Sequence, residues 1–350
     1  STGEVLALVS SPNFDPNLLC GSSRGKNYSL LEANKLNPLF NRAVMAQYPP
    51  GSTFKPVTAA IAMQEGAINQ NFSYYCNTIY SIPGYTLHCS HNHPPALNVQ
   101  EGLQHSCNPY FWQTFRNTLD SEKYKTTLES YGAWYAYTQK FGLGQKLGID
   151  MLSEKSGNIP SVDYYNKLYG NGRWRALTII SLAIGQGEIL LTPLQLANLY
   201  AVFANRGYYI RPHLVKNING ENIDDLKRIE TGIDKEYFEV IAEGLQLVVD
   251  AGTGRRSKIP NINFGGKTGT AQNPHGEDHS IFAGFAPVEN PKISISVVVE
   301  NGGGGSKYAA PIASLMVEMY LHDTIATSRL ALEQSILDAN LIDPEEEKED

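Results

Sequence analysis

Cysteine is scarce in this sequence, with only Cys20, Cys76, Cys89 and Cys107 among 350 residues. That is too few for a disulfide scaffold, and a chain of this length can bury a full core without covalent help. Long apolar runs are missing as well. No stretch reaches the roughly 20 residues that a membrane-spanning helix needs. The opening Ser-Thr-Gly-Glu-Val-Leu-Ala-Leu-Val-Ser lacks the basic start and apolar run of a secretion signal. There is no basic stripe: 28 Lys and Arg stand against 35 Asp and Glu, for a net charge of -7. That balance argues against a nucleic-acid partner. Part of the acidic excess is local, in the run from Asp343 to Asp350, which reads as a solvated tail. No internal repeat is visible.

What is present is an ordinary globular composition, 42% apolar and 18% charged. Alternation over Glu4–Ser10 predicts a strand. A Pro-Pro-Gly loop then precedes Ser52, and the Ala-rich stretch to Gln64 predicts a helix without a solvent face. Pro56 is tolerated in its first turn and Gly66 stops it. Between Asn71 and Asn98 all periodicity is lost in an irregular excursion that holds three of the eight histidines. Helical spacing returns over Val99–Leu119, Thr192–Asn205 and Lys235–Asp250. Three strands follow, at Gly265–Ala271, Ile281–Pro287 and Ile293–Glu300. A turn at Gly302–Gly305 and a helix over Ala309–His322 complete the pattern. The expectation is an α+β fold of mixed helices and antiparallel sheet: a helical subdomain plus an antiparallel sheet packed with helices.

Three short pieces carry chemistry: Ser52-Thr-Phe-Lys55, Ser106-Cys-Asn108 and Lys267-Thr-Gly-Thr270. On a helix, residues three apart share a face, so Ser52 and Lys55 project together. A serine hydroxyl needs a base near neutrality, and a lysine amine serves when burial and a second cation such as Lys267 favour its neutral form. The backbone N–H groups of Ser52 and Thr270 are candidate donors to an oxyanion. Ser106 is read as a proton relay between Lys55 and the leaving group. The Asn108 amide would hold Lys55 and a substrate carbonyl. Gly269 leaves a strand face bare for a peptide to lie against, its carboxylate meeting Lys267, Thr268 and Thr270. Each piece has a plainer reading: a chance Ser-x-x-Lys, a helix cap at Ser106 or Asn108, an edge strand with a solvated lysine. The three together, in this order, point to an acyl-serine enzyme, an association already attached to penicillin-binding proteins and class A β-lactamases.

Around this trio the chain resembles the transpeptidase domain of class B penicillin-binding proteins, specifically the elongation-type penicillin-binding protein 2 group of the β-lactamase-like superfamily. The matching pieces include Asn41-Arg-Ala43, Tyr48-Pro-Pro-Gly-Ser-Thr-Phe-Lys-Pro56 and Phe141-Gly-Leu-Gly144. Ile184-Gly-Gln-Gly187, Gly252-Thr-Gly254 and Phe282-Ala-Gly-Phe-Ala-Pro287 match as well. The resemblance covers residues 1–322 as one transpeptidase domain and leaves 323–350 for a C-terminal helix and the acidic tail. It implies a peptidoglycan D,D-transpeptidase that acts in cell elongation and shape maintenance. Ser52 would be the nucleophile and Lys55 the base. Ser106 and Asn108 would form the second motif and Lys267 to Thr270 the third. β-Lactams would acylate the same serine. Many relatives carry Asp at the position of Asn108, which keeps an acceptor and loses a charge. Relatives also carry a membrane anchor and a pedestal domain that are not in these residues. The resemblance therefore implies a soluble truncated form of a protein at the periplasmic face of the bacterial inner membrane, with an elongation-type glycosyltransferase as partner. A D,D-carboxypeptidase, a serine β-lactamase or β-lactam sensor, and a non-catalytic scaffold remain as alternatives.

The chemistry needs no cofactor, but Cys76, His88, Cys89, His91 and His93 crowd one stretch, with Cys107 beyond. Thiolate and imidazole are preferred zinc ligands. Cys76, Cys89, His91 and His93 are the expected set for a structural zinc, with His88 and Cys107 as substitutes. A Cys76–Cys89 disulfide and free cysteines are the competing readings. A zinc site near the cleft is also a feature of some elongation-type relatives.

Overall fold

Gly265–Ala271, His279–Ala286 and Ile293–Val299 pair antiparallel in chain order to form a three-stranded meander. The period of two divides these strands between two cores. Phe282, Ala286 and Ile295 join Ala309, Ala310, Ala313 and Val317 of the helix Ala309–His322 in a smaller cluster. Ile281, Ala283 and Phe285 instead belong to the large cluster built by the helical middle of the chain. Lys267 pairs with Ala283 and Gly269 with Ile281, so both present themselves to the helical side. Burial on both faces is why the middle strand reads as apolar throughout. The structure, a computed structural model, describes residues 2–82, 84–95, 98–222, 227–274 and 276–342. The acidic run at 343–350 lies outside the described residues.

The helix Lys55–Gln64 lies at the centre, with every residue from Lys55 to Met63 buried. Asn108–Leu119 and Lys235–Ala251 pack on it, and the latter also packs against the strand Gly265–Ala271. Pro193–Ala204 covers the other two strands. Its start is a capping box in which the Thr192 hydroxyl accepts from Gln195 N and the Gln195 side chain accepts from Thr192 N. Lys235–Ala251 buries Ile241, Leu245 and Val248 of the stripe that its spacing predicts, together with Phe238, while Tyr237 and Val240 are half-buried at its edge. A short helix at Leu330–Leu337 follows the domain. Among the described residues no helix is long and apolar enough to cross a membrane.

Three expectations are corrected. Glu4–Ser10 is not a strand: only a bridge between Glu4 and His213 forms, while Leu6 and Val9 stay exposed. Alternation supplies a face, but a strand also needs a neighbouring edge for its backbone groups, and none runs alongside among the described residues. Val99–Leu119 is two helices, Val99–Gln104 and Asn108–Leu119. Pro109 has no N–H to donate to residue 105 and its ring would clash with that carbonyl, so one continuous helix cannot form. The break turns Ser106 to a φ of +53°. The cap of the second helix is Cys107, whose Sγ accepts from Tyr110 N, rather than Ser106 or Asn108. Finally, the irregular excursion contains one antiparallel hairpin, Ile79–Ile82 with Tyr85–His88.

Candidate active site

Ser52 is the second residue of a 3-10 turn, Gly51–Phe54, that runs straight into the helix Lys55–Gln64. Its carbonyl accepts the Lys55 N–H, which stacks the two side chains on one face as the three-residue spacing predicts. The turn is wedged tightly. Gly51 N donates to the Gly185 carbonyl at 2.9 Å, and a Cβ on Gly51 would lie 2.6 Å from the Thr270 carbonyl oxygen. A Cβ on Gly269 would lie 2.8 Å from the Pro50 carbonyl oxygen and 3.0 Å from the Thr53 methyl. The bare face of Gly269 is thus filled by the turn that carries Ser52, where the sequence suggested room for a peptide. Glycine here brings helix and sheet together.

Lys55 is fully buried and its Nζ has three acceptors. The Ser106 carbonyl and Asn108 Oδ1 each lie at 2.6 Å and Ser106 Oγ at 3.1 Å. The left-handed turn at Ser106 brings its carbonyl and hydroxyl to the same amine. The Phe111 ring, one turn along the second helix, lies 5.6 Å from Nζ. Burial pulls the Lys55 amine down to about 7, opposed by the nearby Cys107 and Cys89 sulfurs. Lys267 is also fully buried, and burial together with the charge of Lys55 holds it well below the usual lysine range. The two amines therefore share one desolvated site.

Thr268 is nearly buried and its hydroxyl lies 2.8 Å from that of Thr253. Thr270 is exposed at the strand's end. The eight expected residues, Ser52, Lys55, Ser106, Asn108, Lys267, Thr268, Gly269 and Thr270, are thus brought to one junction of helix, helix break and strand. Phe111, Thr253 and the Gly185 carbonyl were not anticipated. Thr253 and Gly185 lie within Gly252-Thr-Gly254 and Ile184-Gly-Gln-Gly187, so the local signal was in the sequence but its destination was not.

Behind Ser106 lies a second cluster. Cys76, Cys89, His93 and Cys107 bring their ligand atoms within 4.8 Å of one another. Cys89 Sγ sits 3.4 Å from His93 Nε2, while His93 Nδ1 faces the Pro94 carbonyl at 2.6 Å. This corrects the sequence assignment, because Cys107 takes the place given to His91. Both His91 nitrogens are engaged elsewhere, Nε2 with the His105 carbonyl at 2.7 Å and Nδ1 with Ser90 Oγ at 3.0 Å. His88 ends the hairpin outside the cluster. All four cysteines are free, so the Cys76–Cys89 disulfide is not formed.

Comparison with known proteins shows the family. The model of the penicillin binding protein transpeptidase domain matches residues 1–318. The chain is 33% identical to the peptidoglycan D,D-transpeptidase MrdA of Acinetobacter baumannii, over 91% of this chain and 49% of that protein. It is 31% identical to PbpA of Mycobacterium tuberculosis, over 92% of this chain and 65% of that protein. The chain spans about half the length of the MrdA relatives it matches. Its structure superposes on Pseudomonas aeruginosa PBP2, solved in complex with WCK 5153, with a TM-score of 0.81 and 32% identity. That match covers 93% of this chain and 71% of the other. With the three motifs gathered in one site and a match spanning almost the full sequence, the chain belongs to the penicillin binding protein transpeptidase domain family.

Proposed function

We propose that residues 1–322 are a peptidoglycan D,D-transpeptidase domain that cross-links stem peptides through an ester on Ser52 during cell-wall elongation. The observation that carries this reading is the Lys55 amine. In its neutral form it has two protons and one lone pair. The two acceptors at 2.6 Å, the Ser106 carbonyl and Asn108 Oδ1, take both protons. The lone pair is then open to a donating hydroxyl, that of Ser106 at 3.1 Å or that of Ser52, one turn away. A value near 7 keeps much of the amine neutral at physiological pH.

The steps follow from that arrangement. Ser52 Oγ attacks the penultimate D-Ala carbonyl of a donor stem while its proton passes to Lys55 Nζ. The oxyanion is held by the N–H groups of Ser52 and Thr270. The C–N bond breaks, and the departing D-Ala nitrogen takes its proton from Lys55 through Ser106 Oγ. An acceptor amine then attacks the ester carbonyl and gives up a proton along the same path to Lys55; the bond between that carbon and Ser52 Oγ breaks, and Lys55 returns the proton to Oγ. Lys267, Thr268 and Thr270 would hold the donor's terminal carboxylate, and Asn108 its backbone. β-Lactams, whose ring carbonyl occupies the same place, would acylate Ser52.

The second cluster fits a structural zinc. Three thiols and an imidazole are a closed tetrahedral donor set, and zinc–sulfur bonds of about 2.3 Å place ligand atoms about 3.8 Å apart. The Pro94 carbonyl fixes the His93 tautomer with Nε2 free to ligate. Such an ion would clamp the 71–98 excursion to Cys107, between Ser106 and Asn108. The full-length protein is read as anchored in the inner membrane with this domain on the periplasmic face, working beside an elongation-type glycosyltransferase.

Mass spectrometry with a labelled penicillin tests the central step, with one adduct on Ser52 that is absent in Ser52→Ala. An unmodified Ser52 under conditions that saturate a control enzyme would overturn the acyl-enzyme assignment and leave a scaffold. Rapid turnover of the penicillin would identify a β-lactamase, and D-Ala release without cross-linked product a carboxypeptidase.

A further inference from the structure

The turn carrying Ser52 meets the end of the strand Gly265–Ala271 through close van der Waals approach, Gly51 against the Thr270 carbonyl. Such contact limits how near the two can come but does not hold them together. Two hydrogen bonds supply a tie, and both end on Glu300. Tyr48 Oη donates to Glu300 Oε1 at 2.7 Å, and Arg42 Nε donates to Oε2 at 2.8 Å.

Glu300 directly follows Val299, which pairs with Ser280, which in turn pairs with Thr270. Its carboxylate thus belongs to the end of the sheet where Thr270 lies. Tyr48 is buried, and its backbone N–H and carbonyl both bond to Leu191 at 2.9 Å. Between Tyr48 and Ser52 stand Pro49, Pro50 and Gly51. Two consecutive prolines fix φ and make the link stiff, so a displacement of Tyr48 is passed on to Ser52. Burial alone would raise the Glu300 carboxyl, but the hydrogen bonds from Arg42 and Tyr48 and the Arg42 charge hold it below the usual range, ionised and accepting on both oxygens.

We propose that Glu300, acting through Tyr48 and Arg42, is a positioning residue that sets the distance between the Ser52 turn and Thr270. This rests on the acyl-enzyme reading above, in which those two N–H groups must converge on one oxyanion. Reacting groups displaced by about 1 Å lose rate steeply.

The test is stopped-flow acylation of the 350-residue chain by a fluorescent penicillin, which separates the first-order constant at saturation from the non-covalent Kd. Tyr48→Phe removes one hydroxyl, and its first-order constant should fall about tenfold while Kd changes by less than about twofold. Glu300→Ala should fall further, and Glu300→Gln, which keeps an acceptor for Tyr48, should recover part of the loss. First-order constants unchanged in Tyr48→Phe and Glu300→Ala, at equal folded fraction by circular dichroism, would overturn the proposal. So would a weaker Kd with an unchanged first-order constant, which would make Glu300 a groove residue. Should Glu300→Ala fail to fold, Tyr48→Phe decides alone. If wild-type Ser52 is not acylated at all, the acyl-enzyme reading itself fails, and the positioning role with it.

Discussion

Lys55 Nζ lies 2.6 Å from Asn108 Oδ1, a neutral acceptor on a helix that begins more than fifty residues later in the chain. The partner is an amide and adds no opposite charge, so burial outweighs the nearby Cys107 and Cys89 sulfurs that favour the protonated amine. Its neutral form, which a general base requires, is reached at about 7.

Acylation of Ser52 should therefore rise with pH through about 7 and level off above it. Asn108→Asp places a negative charge against the amine and raises its pKa by about one unit or more. The rising limb should move to higher pH by that amount, with the plateau little changed, in a pH series of penicillin acylation rates. A limb that stays in place would show that Lys55 is not the titrating base.

The same lysine leaves a mark on stability. Its folded value of about 7 lies below the ordinary 10.5, so between these values the unfolded chain binds a proton that the folded site rejects. Its contribution to stability is lowest below about pH 7 and grows toward pH 10. Urea unfolding of the wild type and of Lys55→Met across this window should differ in slope, with the variant flatter.

Gly269→Ala adds a methyl 2.8 Å from the Pro50 carbonyl. Strand and turn must separate by several tenths of an ångström. Penicillin acylation should fall about tenfold or more, while the unfolding midpoint drops by only a few degrees. Acylation equal to wild type would show that the turn-to-strand spacing does not limit the reaction.

For the sulfur cluster, protein purified without added metal should carry close to one zinc per chain by elemental analysis. Cys107→Ser should lose most of it and melt at a lower temperature, whereas His91→Ala should keep it. Retention of zinc by Cys107→Ser would remove Cys107 from the ligand set.

Glu318 and Arg329 form a buried ion pair that joins the helix Ala309–His322 to the segment after it, and Arg329 also donates to Ser314 Oγ. Glu318→Ala strands a buried guanidinium and should cost about 3–5 kcal/mol in chemical denaturation. The acylation rate per folded molecule should be unchanged, because the pair lies outside the Ser52 site.

Much of this protein is local and was legible in order along the chain. The helix at 55–64, the helices beginning at Thr192 and Lys235, and the three strands follow from side-chain period, caps and glycine, which act over a few residues. The spacing of Ser52 and Lys55 belongs to the same class, as one helical turn sets it. The tertiary structure decided what depends on partners far away in sequence. Glu4–Ser10 has a strand's pattern but no edge to pair with. The break within Val99–Leu119 is local, since Pro109 alone makes it, but that it carries Ser106 to Lys55 is not. Cys107 rather than His91 joins the sulfur cluster because the fold, not the spacing, brings its sulfur to Cys76 and Cys89. Thr253 against Thr268, and Glu300 beneath Tyr48, are juxtapositions of segments more than ten and more than two hundred residues apart. Local stereochemistry can name such residues, but only the packing of the whole chain selects which of them meet.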